Sequence, residues 1–166
     1  MPLNFTPKGH LSPAKEISSN ENELADYFVD RISNSNTRKQ LFDSYLNLML
    51  DFRQKISSDF TVWINGSFVT QKTHPNDIDL VIFLEAFIFQ DKQVELNSLK
   101  QKYQEENLDL YFVKAYPESH KRHFWYVSKQ IEWRHLFTKT RKQKRTGKSF
   151  SKGFSTISYH DEEQFT

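Results

Sequence analysis

Three acidic residues carry the chemistry this chain is equipped for. Asp77 and Asp79 stand in the stretch NDIDLVIFL, with Asp79 lodged among apolar residues where a carboxylate is costly to bury. Side chains alternate along a strand, so the two acids point the same way, backed on that face by Val81 and Phe83. Like charges a few ångströms apart repel each other and lose hydration. A divalent cation relieves both penalties, and Mg²⁺ (or Mn²⁺) takes a few carboxylates together with waters and substrate phosphates. Asp109, in NLDLYFV, repeats the pattern of one acid near the start of an apolar run. If its strand lies beside that of Asp79, it completes a cluster able to hold two metals about 3.5–4 Å apart for in-line phosphoryl or nucleotidyl transfer. Plainer readings compete. Asp77 follows Pro75-Asn76 and could be a turn residue, and Asp109 could mark a wet strand end.

Gly66-Ser67 adds a second chemical element. Gly lets a backbone come close to phosphate oxygens, and Ser adds a hydroxyl donor. The pair stands nine residues before Asp77, room for a short helix and a turn back to a neighbouring strand. A triphosphate grip and a metal site could therefore converge.

The elements that must position these residues follow from pattern. Asn20 with Glu23 three residues on reads as a capping box opening a helix with Leu24, Phe28 and Ile32 on one face. Residues 37–57 form the clearest helix, with Leu41, Tyr45, Leu48, Met49, Phe52 and Ile56 in phase. Strands are expected at 60–64, 78–84 and 107–115, and a last one at 154–159. The 78–84 strand, apolar on both faces, should be interior to its sheet. GSFVTQKT reads as a short helix and HPND as a turn. Helices are expected at 91–106, with Val94, Leu99 and Tyr103 inward, and at 118–137, with Phe124, Val127 and Ile131 inward. Residues 1–19 read as an irregular arm and 160–166 as a frayed tail. The order points to a single α+β domain over 1–166, α/β-like, with a small mixed sheet flanked by helices.

Composition narrows the classes. The 166 residues contain no cysteine, which excludes disulfides, a thiolate nucleophile and a thiolate zinc site. MPLNFTPKGHLSPAKE lacks the apolar stretch of a signal peptide, and no run approaches a membrane span, so a cytoplasmic protein without a membrane partner is expected. Net charge is only +2, but residues 138–153 hold seven of the 23 basic residues and none of the 21 acidic ones, leaving the rest acidic by five. This basic loop suits a phosphate-rich partner, with Lys148 a candidate phosphate contact, or is simply a solvated loop. Gly147-Lys148-Ser149 resembles the end of a P-loop, but the Gly required five residues before Gly147 is Lys142 and no strand precedes it. His120 and His123, at helical i, i+3 spacing, read as exposed residues of a basic patch rather than metal ligands. Phe124, Trp125, Trp133 and Phe137 read as core.

Gly66-Ser67, nine residues, then Asp77-Ile78-Asp79 between apolar strands resembles the signature of the DNA polymerase beta-like nucleotidyltransferase superfamily, over about residues 60–114. GHLSP and WINGSFVTQKTHPNDIDL are also similar to a group of small bacterial nucleotidyltransferase-like proteins. The resemblance implies the nucleotidyltransferase fold, with Asp77, Asp79 and Asp109 as metal ligands and catalytic acids, Asp109 helping to activate the nucleophile. Gly66 and Ser67 would hold the β- and γ-phosphates. It implies Mg²⁺-dependent transfer of a nucleoside monophosphate, with ATP the expected donor, to a hydroxyl on a partner protein, an RNA end or a small molecule, and a toxin–antitoxin or phage-defence setting. The alternatives are an inactive module of the same fold that binds a partner protein or RNA, and a metal-dependent phosphodiesterase or nuclease. The Gly-Ser grip argues against the last.

Overall fold

A computed structural model describes residues 2–161. Seven strands and five helices run in the order β1 (Asn4–Phe5), β2 (Leu11–Ser12), β3 (Glu16–Ser18), α1 (Glu21–Ala25), α2 (Arg38–Lys55), β4 (Phe60–Asn65), β5 (Ile78–Glu85), α3 (Ala86–Asp91), α4 (Gln93–Gln104), β6 (Leu108–Ala115), α5 (His123–Phe137) and β7 (Phe154–Tyr159) among the described residues. β1 and β2 form a small hairpin. The other strands form one mixed sheet, ordered β3-β7-β4-β5-β6. β4 is antiparallel to β5 and β7, while β5–β6 and β3–β7 are parallel. β5 is thus interior, as its two apolar faces require.

The two faces of β5 sort the molecule into layers. Ile78, Leu80, Ile82 and Leu84 point into the main core, against α1, α2 and α4. Val81 and Phe83 point the other way, into a smaller cluster with Trp63, Val113, Phe137 and Phe154, which α5 covers. All six phased residues of the second helix are buried: Leu41, Tyr45, Leu48, Met49, Phe52 and Ile56. Each fully buried apolar side chain contributes roughly 1.5–3 kcal/mol, so this face alone anchors α2 to the sheet. The first helix is capped as its sequence indicates. Glu23 N donates to Asn20 Oδ1 at 2.8 Å, and Asn20 Nδ2 donates to Glu23 Oε1 at 3.0 Å. It then widens into a π-helical turn over Asp26–Asp30, with Arg31 N bonded to Asp26 O.

The structure corrects four expectations. The N-terminal arm is not irregular, because β3 extends the main sheet beside β7, and Gly153 N donates to Leu11 O at 2.7 Å. The 91–106 helix is α4 alone, with the separate α3 just before it; Leu99 and Tyr103 are buried as expected, but Val94 is exposed and Leu96 takes its place in the core. α5 starts at His123, not 118, and turns Tyr126, Trp133 and Phe137 to the sheet, leaving Phe124, Trp125, Val127 and Ile131 exposed. Phe124 and Trp125 are therefore not core. His120 lies before the helix, so the i, i+3 pair does not form. His120 packs on the Tyr116 ring and His123 Nδ1 meets Tyr116 O at 2.7 Å. The frayed-tail expectation at 160–166 falls mostly outside the described residues. No helix among the described residues is long and apolar enough to cross a membrane.

Candidate metal and phosphate site

Register brings the three acids together. Asn65, Asp79 and Asp109 are direct neighbours across β4, β5 and β6. Adjacent residues in a sheet stand about 4.8 Å apart between strands, and Asp77 precedes Asp79 by two residues on the same side. Carboxylate oxygens of Asp77, Asp79 and Asp109 all lie within 4.8 Å of one another, each side chain half-buried. They sit where β5 and β6 begin, on the sheet face that α5 covers.

This is an electrostatically costly arrangement. Burial, then the charges of Asp77 and Asp109, push the Asp79 carboxyl up to about 6, against a partial pull from Arg141. Burial and the Asp109 charge also raise Asp77, opposed by Arg141 and Lys72. Among the described residues no cation forms an ion pair with any of the three. The donor set is all hard oxygen, with no thiolate or imidazole, which fits Mg²⁺ or Mn²⁺ and does not favour zinc or copper.

Gly66 and Ser67 follow β4 directly. Gly66 has φ +93°, a conformation open to glycine and strained for other residues. A Cβ there would stand 3.3 Å from Asp79 N and 3.4 Å from Asp79 Oδ2, so the glycine allows the loop to lie against the acid cluster. Ser67 opens a short 3₁₀ turn to Val69. Gly66, Ser67 and all three acids line one cavity of about 840 Å³, within the size range of small-molecule sites.

Sequence reasoning missed three residues that shape this cavity. Arg38, at the start of α2, is buried and spends its guanidinium on the loop after Ser67. It donates to Phe68 O at 2.6 Å, Thr70 O at 2.7 Å and Lys72 O, and to Phe28 O at 3.0 Å. Burial lowers its pKa to about 10, still charged at neutral pH. Lys152 is only 6% exposed and donates to Asn65 Oδ1, beside Asp79. Burial lowers its pKa to about 8, against an upward pull from Asp79. The solvated-loop reading therefore fails for Lys152. Gly153 lets this happen, since a Cβ there would fall 2.4 Å from Pro13 O. The third is His10, on the cavity wall, whose Nδ1 is buried without a hydrogen-bond partner and whose pKa is lowered by burial and by Lys152 and Lys8.

Lys148 lies elsewhere. It is exposed and outside the cavity lining, whereas Lys139, Arg141 and Lys152 of the same basic segment line it, with Lys8 and Lys72. Gly147 closes an exposed turn with φ +65° and is followed by chain without a helix, so the segment lacks a P-loop's geometry.

No curated protein and no solved structure matches the chain. Residues 3–158, nearly the whole chain, match one family, and the protein belongs to it: the family of unknown function DUF6932.

Proposed function

We propose that this protein is a Mg²⁺-dependent nucleotidyltransferase with the nucleotidyltransferase fold, moving AMP from ATP to a hydroxyl of a protein or RNA acceptor. The observation that carries the reading is the meeting of Asp109 with Asp77 and Asp79 in the same cavity as Gly66-Ser67. Each element alone has a bland explanation. Together they bring a three-carboxylate cluster and a Gly-Ser turn that lies close against it to one place.

In this reading Asp77, Asp79 and Asp109 would hold the cation, which would supply charge neutralisation for the phosphates and the leaving pyrophosphate. Gly66 and Ser67 bind the outer phosphates through backbone N–H groups and the hydroxyl. Lys152 and Arg141 add positive charge to the same cavity. Asp109 stands on the edge strand, and its carboxylate takes the proton of the acceptor hydroxyl as that oxygen bonds to the α-phosphorus and the bond to pyrophosphate breaks. Arg38 acts at one remove, holding the 67–72 loop in register with the acids.

A module that only binds a partner is the competing reading, and the exposed Phe124, Val127 and Ile131 on α5 favour it. Such a module has no need of a third acid beside the first two or of a glycine kept clear for Asp79. Calorimetric titration of ATP with Mg²⁺ into wild type and the Asp77→Asn/Asp79→Asn double variant separates the two. Mg²⁺-dependent binding of one nucleotide, lost in the variant, is expected. Folded wild type that binds no nucleoside triphosphate would contradict catalysis.

A further inference from the structure

We propose that Tyr111, Trp133 and Leu136 form a subsite that receives the nucleobase of the triphosphate by stacking and apolar contact. This deepens the nucleotide reading and rests on it.

The sheet order supplies the geometry. Gly66-Ser67 leave β4, Asp79 is on β5, and Asp109 and Tyr111 are on β6. The phosphate grip and Tyr111 therefore flank the acid cluster from opposite sides, about two strand spacings, roughly 10 Å, apart. Tyr111 lies two residues beyond Asp109 on the same face, about 6.6 Å along the strand. A ribose bridges a gap of that order between a phosphate held near the acids and a ring held at Tyr111.

The wall itself is of the wrong character for solvent and the right one for a ring. Tyr111 is 42% exposed and Leu136 60% exposed, yet both line the concave cavity that the acids and cations line. Trp133 packs on Tyr111 with ring centroids 4.8 Å apart, and Lys100 lies 5.5 Å from the Tyr111 centroid, which together hold the ring in place. Among the described residues β6 is the edge strand, and no further strand covers this side. The cavity thus has Lys72, Arg141 and Lys152 among its polar lining and an aromatic-aliphatic wall beside Asp109. A polyanion attached to a flat ring matches both parts. Stacking reads a ring's face rather than its edge, so adenine and guanine should be accepted alike.

The test is calorimetry on the full chain with Mg²⁺ present, comparing ATP, GTP and inorganic tripolyphosphate. Wild type should bind ATP and GTP within a few-fold of each other, and both roughly tenfold or more tighter than tripolyphosphate. Tyr111→Ala should bring ATP close to the tripolyphosphate affinity without weakening tripolyphosphate, and Tyr111→Phe should restore the difference. Leu136→Ser, at a largely exposed position, gives the same ratio test without a folding risk. Equal affinity of ATP and tripolyphosphate for wild type would overturn the subsite and leave the phosphate grip standing. So would variants that weaken both ligands equally. Wild type that binds neither would overturn the nucleotide reading and the subsite with it.

Discussion

Replacing Asp79 by Asn should make the metal-free protein more stable. Asp79 pays for its place, since burial and two neighbouring carboxylates raise its pKa from 3.8 to about 6. At 1.36 kcal/mol per pH unit, that difference corresponds to about 3 kcal/mol against the ionised folded state. The carboxylate keeps partial contact with solvent, which leaves about 1–2 kcal/mol after screening. The sign follows from the direction of the shift. A carboxyl whose folded pKa is raised binds protons more tightly in the folded state, so its ionisation destabilises the fold fully above about pH 6. That penalty fades as pH falls from about 6 towards 3.8 and is gone below it. Asp79→Asn should therefore raise the melting temperature of the metal-free protein at pH 7.5 by roughly 2–8 °C. The gain should be about half as large at pH 5 and small at pH 4. Scanning calorimetry in chelator at three pH values reads this directly. A variant less stable than wild type at pH 7.5, or a gain that grows on acidification, would refute the electrostatic account of the cluster.

The same shift predicts the pH dependence of cation binding. Mg²⁺ affinity, measured with a Mn²⁺ competition assay, should climb as pH rises through about 6, because Asp79 must lose its proton to act as ligand. Lys152→Met, which removes one cation from the proposed nucleotide cavity, should weaken ATP binding by roughly tenfold or more, as read by calorimetry. Gly66→Ala should cost about 1–2 kcal/mol in urea unfolding, because its φ is +93°, and should weaken Mg²⁺ binding because the new Cβ presses on Asp79. Arg38→Met should cost about 3 kcal/mol or more, because several buried carbonyls lose their donor. Arg38→Lys should recover little in the same unfolding assay, since an ammonium lacks the planar fork.

The cluster was legible because β-strand chemistry is local. Alternation fixes which side Asp77 and Asp79 share, and the apolar runs around them declare two strands. Whether Asp109 joined them depended on strand order, which the sequence leaves open, and the β5–β6 pairing supplies it. α2 was legible because its apolar residues form one stripe. α5 was not, because Phe124, Trp125, Val127 and Ile131 make it apolar all round, and only contact with Trp63, Phe83 and Phe154 selects the side with Tyr126, Trp133 and Phe137. β1 to β3 are two or three residues long, too short for any period to emerge. Lys152 looked like its six basic neighbours. Its burial comes from Gly153 passing under Pro13, a contact between opposite ends of the chain. Arg38 carried no local mark either, because most of its partners are carbonyls about thirty residues away.

In the proposed enzyme, Asp77, Asp79 and Asp109 hold a divalent cation against a nucleotide. Anomalous diffraction from crystals grown with Mn²⁺ and a non-hydrolysable ATP analogue tests it most directly. Mn²⁺ should be bound by carboxylate oxygens of all three acids, with the outer phosphates on Gly66-Ser67. Mn²⁺ absent from the cluster at saturating concentration, or a nucleotide seated away from Ser67, would contradict it.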